Sequence, residues 1–194
     1  ANRLGGNSLS DLLVFGQRAG EYAAMFARST PSAAVREGDV DRAVEQALAP
    51  FDRATTIGAE SPYAVQQALE DMMQDLVGIV RIESEMLQAL DGIAKLRARA
   101  AKCGVQGNRE YNPGWHTALD LPNMLTVSEA ITRSALERKE SRGAQFRNDY
   151  PEKSATYATF NIVVRRGANG AMELERVNLP ELPNELKQVI EEQK

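Results

Sequence analysis

The sequence predicts a mainly α-helical protein: an antiparallel bundle of about three long helices, one extra helix ahead of it, and a C-terminal β-hairpin with an extended tail. Three observations carry this reading. Apolar residues recur at helical spacing in successive stretches between Asp39 and Lys139. A dense apolar segment, Leu12 to Gly16, sits ahead of them inside its own helical pattern. Beyond Pro151 the pattern turns strand-like around an Asn-Gly turn signal.

The first helix is expected from Ser8 to about Arg28. Ser8 with Asp11 three residues later follows a capping pattern, and Pro31 ends the segment. Leu9, Leu12, Leu13, Val14 and Phe15 leave its first turns without a polar face, so burial on all sides is expected. The next helix is expected from Asp39, as N-cap, to about Arg53, with Val40, Val44 and Leu48 in register and Pro50 disturbing its end.

Ser61-Pro62 begins another helix in the preferred N-cap and first-turn arrangement. Val65, Leu69, Met72, Leu76 and Ile79 form its stripe, and the neighbouring methionines read as core filler. Ser84 to Lys102 follows, with Met86, Leu90 and Ile93 inward, cations near its end and Gly104 closing it. After a loop over "GVQGNREYNPGW", Leu121 to Lys139 is the third long helix, using Leu121, Leu125, Ile131 and Ala135. Three stripes of similar length predict a spectrin-repeat-like bundle over residues 39–140. "TYATFNIVVRR" and "AMELERVNL" pair through "GANG", and a hairpin so small needs the bundle or a partner to rest on. An extended Pro segment then leads to a short acidic helix.

Composition narrows the function. At 194 residues with 43% hydrophobic and 26% charged content, the chain belongs with globular proteins. A net charge of -4, with no basic stripe among aromatics, argues against nucleic acid. One cysteine, Cys103, makes no internal disulfide, iron–sulfur cluster or thiolate metal site, and fits a reducing compartment. The sole histidine, His116, reads as a loop residue without catalytic company. Neither a metal site nor a catalytic residue is expected. No stretch is long and apolar enough for a membrane helix, so any membrane link must run through a partner.

Two segments could carry chemistry. In "ANRLGGNSL", Gly5 and Gly6 permit close backbone approach, and Asn7, Ser8 and Leu9 present N–H groups at a helix N-terminus. Arg3 adds a fork suited to a carboxylate, which suggests a carboxylate substrate beside a bound cofactor. In "ESRGAQFRNDYP", Arg142, Arg147 and Asp149 either brace an anionic site or simply end a helix with surface ion pairs.

These two motifs resemble the flavoprotein subunits of succinate dehydrogenase and fumarate reductase. "ANRLGGNSLSDLLVFGQRAG" is similar to the segment after their FAD-binding core, and "ERKESRGAQFRNDYP" to their second hallmark, in the same order. The resemblance implies that residues 1–31 are the last turn and helix of an FAD-binding domain, 39–140 a C-terminal helical domain and 141–194 its tail. It implies that Arg3 binds a carboxylate of succinate or fumarate, and that Asn7, Ser8 and Leu9 lie in the turn that contacts FAD. A hydride would pass between dicarboxylate and flavin, with the proton-relaying Arg, the substrate-binding histidines and the nucleotide fold in upstream segments of a longer subunit. The 194-residue piece is then expected to be inactive, to hold no FAD on its own, and to have its first stretch disordered, displaced or repacked. Implied partners are an iron–sulfur subunit and, through it, membrane anchor subunits and quinone, on the cytoplasmic face of the inner membrane.

Gln145 stands where the family commonly has His, and the tail departs from the commonest form. L-aspartate oxidase shares a related "NRL…NSL" turn, but "GGNSLSDLLVFG" with "ESRGA" fits the succinate/fumarate group better. The remaining alternative is a non-enzymatic helical interaction module.

Overall fold

The computed structural model describes residues 7–192, with side chains from Ser8 onward. Six α-helices and four short strands follow in the order α1 (Asn7–Ser29), α2 (Glu37–Asp52), α3 (Pro62–Leu76), β1 (Val80–Arg81), α4 (Glu83–Ala100), α5 (Pro113–Glu137), β2 (Phe146–Arg147), β3 (Phe160–Arg166), β4 (Met172–Asn178) and α6 (Asn184–Glu192). The chain is mainly helical with small strands at the C-terminal end, as its patterning predicts.

Two compact units divide it, and the division falls within α3, α4 and α5. The first takes in the described part of 1–68 together with 96–122. Its core holds Val65, Leu96, Cys103, Val105 and Leu121, with Pro50 also buried. The Trp115 indole donates to the Ala47 carbonyl at 2.7 Å and its ring lies 5.2 Å from Phe51. Backbone pairing closes the unit, with Gly104 N donating to Glu60 O and Val105 N to Pro50 O.

The second unit is formed by 69–95 and 123–194. Leu69, Met86, Ala89, Ile93, Leu125, Thr132 and Ala135 are its buried centre, and β1 pairs in parallel with β2. The hairpin β3–β4 runs antiparallel from Phe160↔Asn178 to Arg166↔Met172, with Gly170 at φ 80° in its turn. It rests where a small hairpin must find support. Phe160 is buried, and Arg176 lies over the Tyr157 and Phe160 rings while its Nε donates to the α5 residue Glu137 at 2.7 Å.

Several elements differ from their sequence expectation for local reasons. α1 is a regular helix, but its apolar residues are exposed within this chain, Leu13 at 75% and Phe26 at 68%. All-round hydrophobicity shows that a helix needs neighbours and does not guarantee that the same chain provides them. α2 begins two residues early: Asp39 is not its N-cap but an acid inside the first turn, paired with Arg36 and Arg42. α3 ends at Leu76, leaving Ile79 exposed beyond it.

α5 begins at Pro113, well before Leu121, and so takes His116 out of the loop into an exposed position in its first turns. "NPGWHT" has a turn-like composition, but Asn112 is a cap whose Oδ1 accepts from Trp115 N at 3.1 Å, and Pro113 fits the first helical position. Ile131 faces out while Ser128 and Thr132 are buried, because the Thr132 hydroxyl donates to Ser128 O at 2.7 Å and needs no water.

Gly104 does not cap α4, which stops at Ala100. A Cβ at Gly104 would meet Arg53 O at 2.8 Å and Ala54 Cα at 2.9 Å, so glycine is required by a close backbone crossing. Gly104→Ala should lower stability by about 1–3 kcal/mol through that overpacking, read as a fall in thermal midpoint. Gly16→Ala is the control: nothing lies within 4 Å of its Cβ, so the exposed α1 should gain roughly 0.5–1 kcal/mol of helix propensity.

Candidate functional site

The two motifs fare differently in three dimensions. Arg3 lies outside the described residues, as do Gly5 and Gly6. Asn7 begins α1, Ser8 is half-buried, and Leu9 is 70% exposed. The first turn of α1 contains no acidic residue to offset the positive end of the helix. That end therefore suits an anion or the polar edge of a cofactor, which is the chemistry expected of this turn.

The second motif is a buried polar network that terminates α5. This helix carries no basic residue in its last turn, so its C-terminal carbonyls must find donors elsewhere. Arg147 supplies them from β2. Its guanidinium is fully buried and donates to Ala135 O at 2.9 Å, Leu136 O at 3.1 Å and Arg138 O at 3.5 Å. The same group forks onto Asp149 at 2.7 and 2.6 Å, and lies 5.0 Å from the Tyr150 ring. Asp149 in turn accepts from Glu83 N at 2.9 Å, which anchors the start of α4.

Glu140 is the second node and is also fully buried. Its carboxylate takes a fork from Arg142 at 3.0 and 3.0 Å, Arg138 at 2.6 Å and Ser154 N at 2.8 Å. Buried charges are tolerated only when so fully partnered. The segment does end a helix, as expected, but each of these ion pairs has one partner, Glu140 or Arg147, in the interior. Arg147 and Glu140 are consumed by structure and are not free to meet a substrate.

Gln145 bridges the network to the α3–α4 connection. Its Oε1 accepts from Arg81 at 2.6 Å and its Nε2 donates to Ala135 O at 3.2 Å. A neutral imidazole offers the same one acceptor and one donor, so glutamine here preserves the hydrogen-bonding role that histidine could play. Glu140, Arg138 and Arg81 were not singled out from sequence. The available signal was the dense alternation of charge in "ERKESRGAQFR", which looks identical on a solvated helix face.

His116 is exposed, and among the described residues no group of three His, Cys, Asp or Glu could hold a metal. Cys103 is buried and its thiol is pushed up, first by burial and then by Glu60, which suppresses the reactive thiolate. No helix is long and apolar enough to cross a membrane.

The network sets a pH dependence. Glu140 is held at about 2, against its ordinary 4.5, first by the Arg142 hydrogen bonds, then by Ser154 N and Arg138, with burial opposing. Asp149 is likewise at about 2, against 3.8, first through Arg147. Both folded values lie below the unfolded ones, so the stabilisation is complete at neutral pH and fades as pH falls from 4.5 toward 2. Glu140→Gln should be less stable at pH 7 and show a flatter acid-unfolding curve across that window; an equally steep curve would refute the assignment. Arg147→Met should cost about 3–5 kcal/mol in chemical denaturation, since it strands Asp149 and the α5 carbonyls.

Comparison with known proteins agrees with this arrangement. The family model described as fumarate reductase flavoprotein C-term matches residues 66–190. The fumarate reductase flavoprotein subunit of Haemophilus influenzae is 34% identical over 177 residues, which cover 90% of this chain and 29% of the relative. Among solved structures, the Mycobacterium smegmatis Sdh1 complex with UQ1 matches with a TM-score of 0.90 and 42% identity, over 98% of this chain and 32% of that one. A mutant FrdA chain of E. coli quinol fumarate reductase matches at 0.78 and 29% identity, over 94% and 32%. The chain thus spans under a third of the length of these relatives. With a family match over most of its length and the network that ends α5 in place, the chain belongs to the fumarate reductase flavoprotein C-terminal family.

Proposed function

We propose that this chain serves as the C-terminal part of a flavoprotein that interconverts succinate and fumarate. The reading rests on one observation above all: "ANRLGGNSL" leads directly into α1, in a chain whose family match extends over 66–190. In this reading residues 1–31 complete an FAD-binding domain, 39–140 form the helical domain and 141–194 its tail. FAD, when bound, supplies the two-electron hydride chemistry.

Arg3 holds one carboxylate of the dicarboxylate through a bidentate fork, which fixes the substrate's orientation and offsets its charge. Asn7, Ser8 and Leu9 present the N-terminal N–H groups of α1 to the polar edge of the cofactor. The unneutralised first turn of α1 fits that role. In this reading electrons leave to an iron–sulfur subunit and onward to quinone in a membrane anchor, and the single cysteine of these 194 residues agrees with an acceptor outside them. The assembly is peripheral, on the cytoplasmic face of the inner membrane.

Arg3→Ala in the full-length flavoprotein should lower kcat/KM for succinate or fumarate by about 100-fold or more, the consequence of deleting one partner of a desolvated charge pair. Arg3→Lys should recover only part of it, because a point charge lacks the planar fork. Unchanged steady-state kinetics in Arg3→Ala would remove the substrate role.

A further inference from the structure

An open cavity of about 550 Å³ lies beside the last turns of α5, bounded by β1 and β3 residues and by Arg138 and Gln145 of the segment between α5 and β2. Its charged lining consists of two guanidiniums, Arg81 and Arg138, and no carboxylate lines it. Ser134, Gln145 and Asn161 add hydroxyl and amide groups, while Ile131 and Ile162 provide an apolar flank.

Arg81 is the distinctive member. Its Nε donates to Val77 O and Gly78 O and its Nη1 to Gln145, so every partner is neutral. Among the described residues it makes no ion pair, and the charge that acts on it is the like-charged Arg147. Burial, then Arg147, pushes its pKa down. Its Nη2 has no partner, and since no buried side-chain nitrogen lacks one, Nη2 reaches solvent. Arg138 spends Nη1 on Glu140 and Tyr157 O, and leaves Nε and Nη2 for another acceptor. Glu140, the carboxylate paired with Arg138, accepts four hydrogen bonds and does not line the cavity.

We propose that this cavity is a binding site for a small organic anion, its carboxylate or phosphate held by Arg81 and Arg138 and its apolar body against Ile131 and Ile162. Guanidinium N–H groups left over beside an apolar flank are recurring elements of such sites.

The test is a titration of the chain with inorganic phosphate and, separately, butyrate at constant ionic strength, following the side-chain Nε resonances of Arg81 and Arg138. One of the two should saturate, at roughly millimolar concentration, and the tighter one identifies the head group. Arg81→Gln should weaken binding at least tenfold. Because Arg81 also contacts the end of α3, Asn161→Glu is the second variant: it places a carboxylate at the exposed rim and should abolish binding in a normally folded protein. A linear response that chloride reproduces, or binding unaffected by Asn161→Glu, overturns the proposal.

Discussion

The buried guanidinium of Arg147 is the constraint on which the second unit depends. A long helix ending without a cation leaves carbonyl groups that cannot be buried unpaired. Arg147 satisfies them from ten residues beyond the helix, and a charge so deeply buried in turn requires Asp149. Each requirement forces the next. Asp149 fixes the start of α4 through Glu83 N, and the β1–β2 pairing places Arg81 opposite Arg147. Removing one member leaves the others as uncompensated charge, so the segment behaves as a unit and not as a set of separable contacts.

Glu140 extends the same logic to the hairpin. Arg138, which binds it, also donates to Tyr157 O; Tyr157 donates to Glu137 O, and Arg176 of β4 pairs with Glu137. The hairpin is therefore attached through charge and aromatic faces, with Phe160 its buried apolar contact. This explains how a strand pair too small to stand alone keeps its place. The "ESRGA" segment is, in this chain, first a structural device. The proposed substrate contact lies with Arg3, and the apolar surface of α1 is exposed within this chain.

Much of the fold was legible from periodicity. α3, α4 and the hairpin follow Val65–Leu69, Met86–Ile93 and the Asn-Gly turn closely, because burial and turn chemistry act locally there. The start of α5 was missed where turn-forming residues serve as cap and first turn: Asn112 and Pro113 are as suited to opening a helix as to a loop. Gly104 was misread for a similar reason. Glycine signals either a positive φ or a close approach, and only the neighbouring Arg53 carbonyl tells them apart. Of the candidate site, the N-terminal turn was recognised as a motif, while the interior nature of Glu140 and Arg147 was not.

By itself the sequence determined the helical class, the hairpin and the family resemblance, since these rest on spacing along the chain and on motif identity. Only the tertiary structure decided which charges are buried. Glu140 and Arg147 belong to a segment with the same composition as any solvated helix end, and the burial of Arg147 follows from the orphan carbonyls of α5 and the β1–β2 pairing. Likewise Arg81 gives no sign in sequence of lacking a counter-ion; that follows from partners distant along the chain, as with Gln145, 64 residues away. Charge pairing in an interior depends on through-space distance, which local sequence pattern does not encode.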